Sequence, residues 1–160
     1  LKNWIIAGIL CILVLPVLGF YQIYSHNMND LDHAAGTAAE KAKQQYGIQN
    51  VLSVTYYHGS DAYQVVNGTR NGRRIYIWVP DQPGQADFIV RDANKGITEK
   101  QALHALSDMK LDVKKIQSVR LGAIHNQPVW MITFLNSRNN YNYVAIYFDN
   151  GKEAQRILNV

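Results

Sequence analysis

The apolar positions change their period along the chain. From Trp4 to Tyr24 the run WIIAGILCILVLPVLGFYQIY carries no charge. Its twenty-one residues, at about 1.5 Å each in a helix, are enough to cross the roughly 30 Å hydrocarbon core of a bilayer. Trp4 at one end and Phe20, Tyr21 and Tyr24 at the other stand where amphipathic rings prefer the membrane interface. Lys2 precedes the run, and no Lys or Arg follows it before Lys41. The expectation is a single-pass protein of the cell membrane, with its N-terminus cytoplasmic and its bulk extracytoplasmic. A cleaved signal peptide is the competing reading, with a small-residue site near residues 17–19; the length of the run favours an uncleaved span.

From Asp30 the period becomes helical. In DLDHAAGTAAEKAKQQYG, Leu31, Ala34 or Ala35, Ala38, Ala42 and Tyr46 fall on one face, and Gly47 supplies a stop. That face is mostly alanine, which lets a helix lie close against a sheet. Alternating, β-branched and aromatic segments follow at Gln49 to Tyr57, Ala62 to Thr69 and Arg73 to Val79, with a fourth at Asp87 to Arg91. His58-Gly59-Ser60-Asp61 and Asn71-Gly72 mark turns between them.

The order then repeats. Thr98 stands as N-cap with Gln101 as its capping-box partner, and Ile97 packs toward Ala102 as a staple. Ala102, Leu103, Leu106 and Met109 form the stripe of a second helix. Strands are expected at Lys115 to Ile124, Val129 to Asn136 and Tyr141 to Phe148, with a last short segment at Glu153 to Leu158. Leu52-Ser53-Val54 resembles Gln117-Ser118-Val119, and Ile75 to Val79 resembles Val144 to Phe148, at an offset of 65 to 69 residues. The organisation is an anchor with a short juxtamembrane segment (1–28), a first helix-plus-sheet domain (29–95) and a second (96–160). The fold class is α+β.

Alternation divides each sheet into two faces. Leu52, Val54, Tyr56, Ile75, Ile77 and Val79 are expected to face the first helix. Ser53, Thr55, Tyr57, Arg74, Tyr76 and Trp78 are then left on the other side. In the second repeat Val119, Leu121, Trp130, Ile132, Phe134, Val144, Ile146 and Phe148 make the core, which leaves Arg120, Met131, Thr133, Tyr143 and Tyr147 on the open face. A single helix covers only one face of a sheet. The remaining faces are buried either against each other or by a partner, for which Tyr, Trp, Met and Arg are the usual anchors. The candidate partner-binding residues are therefore Tyr57, Arg74, Tyr76, Trp78, Arg120, Met131, Tyr143 and Tyr147.

Composition narrows the chemistry. The chain is 48% hydrophobic and 18% charged, which is enough apolar material for packed cores. Its net charge of +4 is scattered, so nucleic acid is not expected as a partner. Cys11 is the only cysteine and lies inside the apolar run, which excludes an intramolecular disulfide. His26, His33, His58, His104 and His125 show no metal-ligand spacing, and no Gly-rich phosphate loop occurs, so neither metal nor cofactor is expected. Ser107 and Lys110 read S-x-x-K without a supporting motif. Asp81 with Asp87, or Asp108 with Asp112, could be drawn as an acid and base, but they sit in loops and at a helix end. No catalytic residues are assigned.

An apolar span, an Ala-rich helix with three strands, and GITEKQALHAL opening a second helix-plus-strands unit together resemble the PepSY-like cell-wall elongation regulators of Gram-positive bacteria, of the TseB/YpmB type. The resemblance covers essentially the whole chain. It implies tandem cystatin-like (PepSY-like) repeats, no enzyme activity, and regulation of a penicillin-binding protein or another wall-synthesis protein at the membrane, with residues 4–24 in the bilayer. Two alternatives stay open: a PepSY-type modulator or inhibitor of an extracytoplasmic peptidase, and a weak cell-wall hydrolase.

Overall fold

Two antiparallel sheets, each a four-stranded meander with its own helix, account for the α+β pattern. The computed structural model describes Pro16 and residues 32–59, 61–82, 84 and 86–160. The expected membrane span at residues 4–24 lies outside the described residues apart from Pro16. Among the described residues no helix is long and apolar enough to cross a membrane. Leu1–Gly36 and Thr37–Val160 are separate compact units, and both sheets belong to the second.

The first helix, α1, covers residues 32–46. Gly47 ends it at φ +67, a left-handed turn that costs glycine little. Ala38 and Ala42 are buried against Val66, Ile75, Ile77 and Val79. Sheet 1 is built of β1 (Asn50–His58), β2 (Ala62–Arg70), β3 (Arg73–Pro80) and β4 (Ile89–Asp92), paired in that order. Asn71 and Gly72 both have positive φ, as a tight two-residue hairpin requires.

After a 3-10 turn at Ala93–Lys95, α2 runs from Glu99 to Asp108. The capping box forms as the sequence predicts. Thr98 N–H donates to Gln101 Oε1 at 2.8 Å, and Gln101 N–H donates to Thr98 Oγ1 at 3.3 Å. Ala102 and Leu106 are buried, with Leu103 and Met109 packed beside them. Sheet 2 is built of β5 (Lys115–Ile124), β6 (Gln127–Leu135), β7 (Tyr141–Tyr147) and β8 (Glu153–Ile157), again in chain order. His125 and Asn126 form its first hairpin turn, both at positive φ.

The first strand of each sheet carries a bulge at the same place. The β1 register shifts between Val51 and Ser53, and the β5 register shifts between Ile116 and Ser118. The extra residues, Leu52 and Gln117, are the pair that the internal alignment equates. The bulge corrects one expectation: Leu52 does not face α1 but is 56% exposed, and Val51 packs on the core in its stead. An unpaired residue reverses the alternation that precedes it.

Sheet 1 has a core on each side. One face lies under α1. On the other face Tyr57, Tyr63, Val65, Trp78 and Ile89 join one continuous cluster with Ala102, Leu106 and the core of sheet 2. Trp78 and Tyr76 meet the Phe148 ring edge-on, with centroids at 6.1 and 5.9 Å. The Trp78 indole N–H donates to Gly122 O at 2.9 Å, and Tyr63 O–H donates to Asn126 Oδ1 at 2.9 Å. Arg91 grips Asp149 through both carboxylate oxygens.

Candidate partner-binding site

The strand registers place the open face of sheet 2. Ser118, Thr133, Tyr143 and Ile157 form one cross-strand row, and Arg120, Met131, Ala145 and Gln155 form the next. These side chains point away from the buried Leu121, Trp130, Ile132, Val144 and Ile146, because successive residues of a strand alternate sides. Ser118, Arg120, Met131, Thr133, Tyr143, Gln155 and Ile157 line a groove of about 740 Å³. The end of β1 supplies one wall through Tyr56, Tyr57, His58 and Gly59, and Ile124 with His125 completes the lining.

Gly122 makes that wall possible. A side chain at this position would occupy the space filled by the Tyr57 ring. Tyr57 is thereby buried on the floor of the junction while still bordering the groove. Its phenol is held above its ordinary pKa, first by burial and then by the nearby Asp61 carboxylate. It is a neutral, partly apolar surface there.

The eight candidate residues do not come together in one place. Tyr57, Arg120, Met131 and Tyr143 share the groove. Arg74 and Tyr76 line a smaller recess of about 220 Å³, which Arg120 also borders. There Arg74 donates to Asn67 Oδ1 at 2.9 Å and lies 5.8 Å from the centre of the Tyr76 ring. Trp78 is a correction: it is completely buried, and it packs the repeats together instead of presenting a surface. Tyr147 is half-buried and lines neither depression. Gln155 and Ile157 also line the groove, from the last short segment of the sequence. Their alternation with Ala154 and Arg156 was the available signal.

The candidate catalytic groups are dispersed. Ser107 and Lys110 are exposed at the end of α2, joined through a backbone bond from Lys110 N–H to Ser107 O. Asp112 accepts from the Ser137 hydroxyl at 2.6 Å and from its N–H at 3.1 Å, which lowers its carboxyl below the ordinary range. That is a loop staple. Asp87 accepts from Asn126 at 3.4 Å beside the first hairpin of sheet 2. Among the described residues there is no group of three or more His, Cys, Asp or Glu able to hold a metal ion.

A family model, the cell wall elongation regulator TseB-like domain, matches residues 37–80, which run from α1 to the end of β3. A protein of Bacillus subtilis (strain 168), named "Probable cell wall elongation regulator TseB", is 30% identical over 154 residues, covering 96% of this chain and 93% of its own. The chain belongs to the TseB-like family. A solved structure of the YpmB protein from Bacillus subtilis superposes with a TM-score of 0.71 at 31% identity, over 76% of this chain and 94% of that one. The names carried by the TseB-like model and by the curated relative are those of regulators and not of enzymes. The stretch matched by the TseB-like model contains the Tyr56 to Gly59 wall of the groove, while its floor lies in the second repeat.

Proposed function

We infer that this chain is a non-enzymatic regulator of cell wall elongation, anchored in the membrane by residues 4–24, which binds a membrane-bound penicillin-binding protein on the outer side through the open face of sheet 2. Membership of the TseB-like family supports the regulatory role. The observation that carries the binding site is the groove itself, where Arg120, Met131 and Tyr143 converge on the open face of sheet 2 beside the β1 wall that holds Tyr57. Tyr, Met and Arg are enriched at protein interfaces because they combine large contact area with a polar handle. Tethering to the same membrane raises the effective concentration of the two proteins for each other, so a modest groove affinity suffices.

The test is photocrosslinking in intact cells, with the photoreactive residue at Tyr143 or Gln155 on the groove floor. Capture of a penicillin-binding protein there, and weakened function when the span is deleted, are the expected results. Full complementation by a secreted, span-free chain would defeat the tethering step. Crosslinking of the same penicillin-binding protein from Leu52 and not from the groove would move the site elsewhere.

A further inference from the structure

The groove over sheet 2 is one-sided in charge. Arg120 is its fixed cation, with the His58 and His125 rings at its edge, and among the described residues no Asp or Glu lines it. Asp61 lies in an adjoining recess that shares His58 and Gly59 with the groove, and Glu99 lies in the recess that Arg74 and Arg120 both border, on the side of Arg120 away from the groove floor. Arg70, Arg74, Arg91, Arg138 and Arg156 each donate to an acceptor within the chain. Arg120 takes part in none of the ion pairs among the described residues and is exposed. Around it apolar and aromatic side chains alternate with Ser118, Thr133 and Gln155: Met131 is its cross-strand partner, and Tyr143 pairs with Ile157, which is 47% exposed.

The molecule already shows what lies against such a face. The corresponding side of sheet 1 receives the extended backbone of β5, with the Trp78 N–H on Gly122 O and Tyr57 against the bare Gly122 backbone. An extended segment fits a pleated surface because its own side chains alternate toward and away from it.

Building on the partner-binding reading of this groove, we propose that it receives an extended segment of the partner protein, which sets an Asp or Glu carboxylate on Arg120 and apolar side chains on Met131, Tyr143 and Ile157. The guanidinium fork suits a carboxylate bidentately and fixes the register of the segment. The apolar shoulders supply contact area. Because the charged contact is at the surface, binding weakens as salt rises.

The full-length chain, in detergent micelles, is tested against an array of short synthetic linear peptides with apolar flanks, each made in an Asp/Glu form and as its Asn/Gln isostere. The acidic form should bind about tenfold or more tighter, the scale of one hydrogen bond to a charged group. Arg120→Glu should abolish or reverse that preference, Arg120→Lys should keep part of it, and Arg74→Glu in the neighbouring recess should leave it. Equal binding of the isosteres, a preference that survives Arg120→Glu, no peptide binding, or binding of soluble peptidoglycan fragments alone would each overturn the proposal. Crosslinking from Gln155 in cells separates the two readings. A penicillin-binding protein captured there without any acidic preference on the array would leave the function standing and remove this inference, and acidic selection without that capture would do the reverse.

Discussion

The face of sheet 1 turned away from α1 and the matching face of sheet 2 occupy the same place in two repeats that share strand order, helix position and bulge. The first is sealed around Tyr57, Tyr63, Val65 and Trp78, which are all buried, and stays open only at the recess beside Arg74. The second is open around Arg120, Met131 and Tyr143. Glycines mark where the sealing occurs. A side chain at Gly122 would strike Tyr57, and one at Gly96 would strike the Phe148 ring. Where one repeat stacks on the next the facing side is covered, and among the described residues the matching side of sheet 2 stays open. Two repeats of like design thus give a packed joint in one place and an open face in the other.

Removing the largest ring at the joint should break the comparison most severely. Trp78→Ala is expected to cost about 3–5 kcal/mol, the range for truncating a buried aromatic. Trp78→Phe keeps much of the volume but leaves Gly122 O without its donor, for about 1–3 kcal/mol. Urea unfolding checks both. If Trp78→Ala lost under about 1 kcal/mol, the joint would not depend on this ring.

Gly122→Ala attacks the same joint from the other side. Overpacking against the buried Tyr57 should cost about 1–3 kcal/mol. The two positions touch, so combining Gly122→Ala with Tyr57→Ala should cost clearly less than the two single losses added together. Simple additivity in the double-mutant cycle would show that the ring and the glycine are not in contact in solution.

Alkaline pH weakens the sealed face in a graded way. Burial first, then Asp61 and Asp87, push the Tyr63 phenol from 10.0 up to about 12. The unfolded chain loses this proton near pH 10.0 and the folded chain only near 12, so the unfolded state binds fewer protons between them. The stability contributed by the neutral phenol is complete below pH 10.0 and is lost as pH rises through the folded value. The slope in that window is at most about 1.4 kcal/mol per pH unit. Unfolding midpoints followed against tyrosinate absorbance should show it, and Tyr63→Phe should flatten it.

Strand and helix positions were legible because each repeat alternates cleanly and each turn carries its own residues: Asn71-Gly72, Asp149-Asn150-Gly151, and the Thr98 and Gln101 box. The bulges were not. Leu52 looks like the start of an inward run, and only pairing shows that it is the unpaired residue. Which open face is covered was equally hidden, since alternation assigns Trp78 and Tyr147 to corresponding faces although only the first is fully buried. The deciding positions were glycines, whose missing side chains produce no pattern. Alternation placed Arg120, Met131 and Tyr143 on one face of the second sheet and Tyr57 on a face of the first; that they border one groove needed the packing of β1 beside β5, and Gln155 and Ile157 needed the register of β8.

The open face should be nearly silent in stability and decisive in binding. Arg120 is exposed, and Met131 and Tyr143 are only partly buried, with no hydrogen bonds among the described residues engaging the Arg120 guanidinium. Arg120→Ala should stay within about 0.5 kcal/mol of the parent, as surface changes away from special features do. Met131→Ala and Tyr143→Ala should each cost about 1 kcal/mol, because each side chain is only partly buried. Capture of the partner from Gln155 should nevertheless fall sharply in all three. Losses of stability matching those at Trp78 would mean that the second face is packed in the native protein as the first is, with an occupant from the chain itself; unchanged capture with unchanged stability would mean that the groove is only the blank end of the stack.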